Sequence, residues 1–181
     1  MQLTPRLLDH PFYQSWQHGT VTVEQLSRYA ESYAELIAAM PACWERIGRE
    51  LGADTSAVAA DEYHHIALWQ WWARRLPRPA NAPRLAAALE LCRDSSAAEL
   101  LGAIHAFEVQ QPEVARTKRD GLLAHYGFDA ADLAYFDAHM DEAEHIAFGR
   151  ALAATQDQAA IGRGFARGAD VFYHALDAFV A

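Results

Sequence analysis

The chain has 181 residues, a formal net charge of −9 at neutral pH, 52% apolar residues and 22% charged ones. That length suits one domain with a single well-buried core, and the acidic balance excludes nucleic acid or an anionic membrane as the main partner, since both select basic surfaces. Two cysteines without Cys-x-x-Cys spacing, no apolar run long enough for a bilayer and a start, MQLTPRLLDH, without an apolar leader core predict a chain of the reducing cytoplasm.

Every predicted element is a helix. Thr4 and Pro5 open a first short helix as N-cap and first residue, closing at Gly19. Thr22 with Gln25 forms a capping box for a second, LSRYAESYAELIAAM, which Pro41 kinks or breaks before ACWERIGREL carries it to Gly52. Asp54, Thr55 and Ser56 are candidate caps for a third helix reaching about Arg75. The connector LPRPANAP is too short to separate a pair of domains, and a short helix, RLAAALELC, follows. Ser96 with Glu99 caps a long helix to about Tyr126, with Pro112 inside it and Gly127 after it. Asp129 caps the next, and a last helix spans about Gln158 to Phe179. Strand periodicity and hairpin signals are absent. The pattern supports an all-α bundle forming one domain over residues 1–181.

The chemistry lies in polar residues on segments that otherwise read as buried. ADEYHHIALW holds Glu62 and His65, and AHMDEAEHIAFG holds His139, Glu142 and His145. Spacings of three place each set on one helix face. Glu108 stands among apolar neighbours in LLGAIHAFEV, where an unpaired carboxylate would cost several kcal/mol. A pair of divalent cations resolves the conflict. Carboxylate and imidazole donors without thiolates suit iron or manganese rather than structural zinc. Three carboxylates against two divalent cations leave about +1, room for a further anionic ligand. Duplicated Glu-x-x-His with further glutamates is the donor pattern of carboxylate-bridged di-iron bundles. Plainer readings stand beside this one. Nine histidines make chance pairs common, Glu62 and His64 or His65 can be solvated, and His105 with Glu108 reads as a supporting hydrogen bond. Trp69, Trp71 and Trp72 read as core or as a dimer interface.

The opening LLDHPFYQSWQHGTVTVEQLSRYAESYAELIAAMP resembles the haem-oxygenase-like superfamily that contains the TenA, PqqC and CADD-type proteins. The run GAIHAFEVQQPEVARTKRDGLLAHYGFDAADLAYFDAH and the ending DVFYHALDAFV are closer still to the CADD-type branch. The likeness covers nearly the whole chain. It implies a bundle of seven to eight helices that binds no haem and uses two irons, or iron with manganese, to activate dioxygen. Carried over by position, the ligands the resemblance implies are His65, Glu108, His139, Glu142 and His145, with Glu62 standing in for the family's first glutamate. CADD-type proteins make p-aminobenzoate, consuming a tyrosine of their own with help from a lysine, and Tyr13 and Lys118 match those positions. On their residues alone, Tyr13 reads as a core aromatic and Lys118 as a surface charge. The resemblance further implies an external reductant and a small-molecule or own-side-chain substrate.

Three departures from the family pattern are visible. The family's first glutamate falls on Val58, so Glu62 serves only if about one helical turn is deleted. The last motif is one residue short, which on a regular helix would turn His139 by about 100°; Glu31 or Glu35 would then be substitutes. A second family tyrosine is Phe107 here. Two rival functions remain: a metal-free TenA-like thiamine-salvage hydrolase, which needs a nucleophilic cysteine that neither Cys43 nor Cys92 is seen to be activated for, and a non-enzymatic binding protein with a decayed site.

Overall fold

The structure is a computed structural model, and it describes residues 2–180. Among them there is no strand, and nine α-helices run α1 Pro11–Gln17, α2 Val23–Leu51, α3 Ser56–Ala73, α4 Ala86–Asp94, α5 Ala97–Glu108, α6 Gln111–His125, α7 Ala134–Met140, α8 Ala143–Ala154 and α9 Gln158–His174. Short 3-10 turns precede α1, precede α7 and follow α9.

Both capping boxes form. Thr22 Oγ1 accepts from the Gln25 amide while Gln25 returns the bond, and Ser96 and Glu99 do the same for α5. The first helix starts later than Thr4: the imidazole of His10 accepts from the Phe12 amide and Pro11 takes the first position. Pro41 neither ends nor divides α2, which continues through it to Gly52, whose φ of +68° closes the helix in the left-handed region. Where one long helix was expected from Ser96 to Tyr126, the chain breaks after Glu108. Pro112 then lies in the first turn of α6, where its missing N–H leaves no bond unmade. The helix expected after Asp129 is also split, into α7 and α8, at Asp141 and Glu142.

The 29-residue α2 is the spine. It turns at Gly52 into α3 and buries Leu26, Tyr29, Tyr33, Leu36, Ile37, Met40, Trp44 and Ile47 against the other helices. α5 and α9 lie backbone to backbone. A methyl on Gly164 would collide with the carbonyl of Glu99, and one on Gly168 would come 2.6 Å from the Cα of Ala103. Trp69 and Trp72 are buried in the chain's own core, and of that trio only Trp71 is exposed, at 54%.

Candidate metal centre

Four helices bring the six candidate ligands together. α3 presents Glu62 and His65 one turn apart, α5 ends on Glu108, α7 carries His139, and the start of α8 holds Glu142 and His145. They sort into two triads, His65–His139–Glu142 and Glu62–Glu108–His145, and within each triad the potential ligand atoms all lie within 4.8 Å of one another. Each Glu-x-x-His pair is divided between the two, so α3 and α8 each reach both triads. The closest approaches are 3.4 Å for His65 Nδ1 to Glu62 Oε2, 3.3 Å for His139 Nε2 to Glu142 Oε1, and 3.2 Å for His145 Nε2 to Glu108 Oε1.

His139 sits in this group because the regular helix assumed for its motif does not exist. The chain leaves helical geometry at Asp141 (φ −124°, ψ 62°), and the missing residue therefore rotates nothing. The His139 ring lies 4.2 Å from that of His65. Its Nδ1 donates to the Tyr135 carbonyl at 2.7 Å, which leaves Nε2 facing Glu142; such a bond fixes the tautomer of a ligating imidazole. Glu62 is buried rather than solvated beside exposed Asp61, and Val58 packs in the core one turn earlier. Glu31 and Glu35 are exposed, with Glu35 paired to Arg84 at 2.9 Å, so neither replaces a ligand. The hydrogen bond expected between His105 and Glu108 is not made, and His105 Nδ1 is buried without a partner.

The charges need compensation. Neither oxygen of Glu108 has a hydrogen-bond partner, nor does Nε2 of His145, although the two groups are near in distance; they are misaligned for a bond. Burial pushes the Glu108 carboxyl above its ordinary range, against the pull of His145. Burial, followed by the charge of Glu108, pushes Glu142 up to about 9. Burial pulls the His145 imidazole down, but Glu108 outweighs it and holds the group at about 9. His139 is driven down to about 3 by burial and by the neighbouring His65. Without a cation, protons must neutralise this cluster. Orphaned buried oxygens and an orphaned imidazole nitrogen, all oxygen and nitrogen donors, fit two divalent ions of the iron or manganese kind.

A cavity of about 30 Å³ adjoins the triads, space for one or two water-sized species. Glu62, Glu108, His139, Glu142 and His145 line it, together with Tyr29, Tyr33, Tyr135, Phe107 and Lys118 and an apolar set that includes Leu36, Ile37 and Met40. Lys118 is no surface charge. It is 6% exposed, and burial lowers its amine from 10.5 to about 7. Its Nζ donates to Tyr29 Oη at 2.7 Å and lies 4.6 Å from the centre of the Tyr13 ring. Tyr13 Oη and Tyr29 Oη are 3.0 Å apart. Burial raises all four phenols, Tyr13, Tyr29, Tyr33 and Tyr135, well above the ordinary value.

Sequence reasoning passed over Tyr29, Tyr33 and Tyr135. Tyr29 and Tyr33 share a face of α2 in YAESY, and Tyr135 lies one turn before His139; all three spacings also suit plain core aromatics, so nothing in the pattern marked them. Cys43 and Cys92 are free and buried. Each thiol perturbs the other, so that Cys43 is held below its ordinary value and Cys92, with burial added, is raised above it. Neither lines the cavity.

Fold and site together define a haem-oxygenase-like helical bundle with a buried carboxylate–imidazole centre. No family model matches the chain. Among curated proteins it is 32% identical to the 4-aminobenzoate synthase of Chlamydia muridarum, over 74% of this chain and 65% of that one. It is 31% identical to the proteins of that name from Chlamydia trachomatis and Nitrosomonas europaea, over 74% of this chain and 67% and 66% of theirs. The chain thus belongs to the CADD-type family of proteins named 4-aminobenzoate synthase. It spans about two thirds of the length of these relatives.

Proposed function

We propose that this protein is a dioxygen-using oxidase or oxygenase with two bound metals, two irons or iron with manganese, that forms 4-aminobenzoate from a tyrosine of its own chain. One observation carries the reading: two mixed carboxylate–imidazole triads share a 30 Å³ cavity with a buried, readily deprotonated lysine and a tyrosine cluster. Such a space is far below the several hundred Å³ of ordinary small-molecule pockets. An aromatic substrate from solution has no room there, whereas aromatic rings are already in place. The family name supplies the product.

The six ligands would be Glu62, His65 and Glu108 with His139, Glu142 and His145, and the metals would supply the redox chemistry with dioxygen and an external reductant. The chain's own residues do the rest. The Tyr135 carbonyl orients His139. Leu36, Ile37 and Met40 give the inner cavity an apolar flank. Tyr13 is the sacrificed ring, and Lys118, whose amine burial lowers to about 7 so that about half of it is unprotonated at that pH, holds a lone pair within reach of it. Tyr29 Oη bridges the two, accepting from Lys118 and bonded to Tyr13, and so fixes both orientations.

Anaerobic Fe(II) titration followed by mass spectrometry of the oxygenated product tests this. The expected results are saturation near two equivalents, loss of tight binding in Glu108→Ala, no more than one 4-aminobenzoate per chain, and none from Tyr13→Phe. Repeated turnover on one chain, or stoichiometric metal binding that survives Glu108→Ala, overturns the assignment.

A further inference from the structure

The candidate ligands form a wall with two different sides. One faces the closed cavity of Lys118 and the tyrosines. The other faces a groove of about 340 Å³ lined by His65, Glu142 and His145 at its base and by Asp61, Asp141 and Glu144 around them. The last three are exposed. No lysine or arginine lines the groove. The mouth over the ligands is thus rimmed by three carboxylates from α3, from the break before α8 and from the first turn of α8. None of the three serves in either triad.

A cluster of surface acids alone would signify nothing. Here it stands over His145, whose side chain is 10% exposed and whose buried Nε2 has no hydrogen-bond partner. The groove also reaches Glu142 directly, whereas Glu108 lines only the inner cavity. A cation arriving from solution therefore meets exposed carboxylates first, then His145, His65 and Glu142, and last Glu62 and Glu108. From the opposite side it would have to pass Lys118 and packed aromatic rings.

We propose that Asp61, Asp141 and Glu144 form an outer capture site for hydrated divalent cations and steer them through this groove onto the two triads. The inference rests on the dimetal reading above. The groove joins exposed carboxylates to the candidate ligands His65, Glu142 and His145, and like charges lining a cleft with low-dielectric walls focus a field and raise association rates ten- to a thousand-fold. The carboxylates are needed for the passage and not for the final complex. Their removal changes how fast a cation arrives and not how many are held.

Trp44 supplies the readout, since its indole lies 5.5 Å from the His145 ring and a paramagnetic ion bound there will quench its fluorescence. Anaerobic stopped-flow quenching by Co(II) should show the Asp61→Asn, Asp141→Asn, Glu144→Gln triple variant binding about ten-fold more slowly at low salt with unchanged stoichiometry. The wild-type rate should fall as salt rises, and the variant's rate much less so. A control with the same change of net charge, Glu24→Gln, Glu50→Gln, Asp170→Asn, alters exposed acids that do not line the groove and should stay within two-fold of wild type. An unchanged rate in the groove variant, or equal slowing in the control, overturns the capture site while leaving the two-metal reading intact. Failure of the wild type to bind Co(II) or Fe(II) at all overturns both.

Discussion

Replacing Lys118 with methionine should make the metal-free protein more stable while ending its proposed chemistry. The Lys118 amine titrates at about 7 in the fold against an ordinary 10.5, with burial as the cause. At about 1.4 kcal/mol per tenfold change in proton affinity, this difference is a cost of about 5 kcal/mol to the folded state. Below pH 7 both folded and unfolded chains hold the proton, and the cost is felt in full. From pH 7 to 10.5 the folded amine is neutral while the unfolded chain still binds a proton, so stability rises with pH and the cost vanishes above that window. Methionine fills a similar volume without an ionisable group. The substitution forfeits the 2.7 Å bond to Tyr29, worth about 1 kcal/mol, but Tyr29 keeps Tyr13 as a partner at 3.0 Å. The net expectation is a gain of about 2–4 kcal/mol at pH 7, shrinking by several-fold at pH 10. Urea unfolding of both proteins at the two pH values, with m-values compared, measures it. A Lys118→Met protein less stable than wild type at pH 7, or a difference independent of pH, would show that the lysine's burial is not a strained state.

Three further outcomes are expected. In the metal-free protein Glu142 and His145, both held at about 9 in the fold against ordinary values of 4.5 and 6.5, keep protons that the unfolded chain has already released. The contribution of Glu142 to stability therefore falls as pH rises from 4.5 and that of His145 from 6.5, the two falling together between pH 6.5 and 9. Thermal midpoints of Lys118→Met, where the opposing rise from Lys118 is gone, should decline across that window, and saturating Mn(II) should remove the decline. A flat profile without metal refutes the assignment of those two protons. Gly164→Ala forces a methyl against the Glu99 carbonyl and should cost about 1–3 kcal/mol or more, a drop of several degrees by calorimetry; an unchanged midpoint would mean that α5 and α9 are not so close. Thr22→Ala removes the reciprocal cap of α2 and should cost about 1 kcal/mol in urea titration, with a cost near zero counting against the cap.

The all-helical class, the two capping boxes and the choice of the six candidate donors follow from local rules that act over three or four residues. Cap chemistry, glycine at a left-handed position and the facing of residues one turn apart all lie within a single helix, and one chain reports them without its partners. What local rules could not decide was where a helix stops under tertiary demand. The break at Asp141 and Glu142 is what brings the His139 ring to within 4.2 Å of that of His65. The break after Glu108 likewise turns that carboxylate to the end of its helix. Packing between distant segments made the other decisions. Lys118 reads as a surface cation in VARTK, yet α1 and α2 cover it with Tyr13, Trp16 and Tyr29. Cys43 and Cys92, 49 residues apart by subtraction, are near enough for each thiol to shift the other's proton affinity. Division of each Glu-x-x-His pair between two triads is also a property of four helices meeting. A residue's chemistry is written in its own side chain, but its protonation and its neighbours depend on segments remote in sequence, and only the folded chain brings those segments into contact.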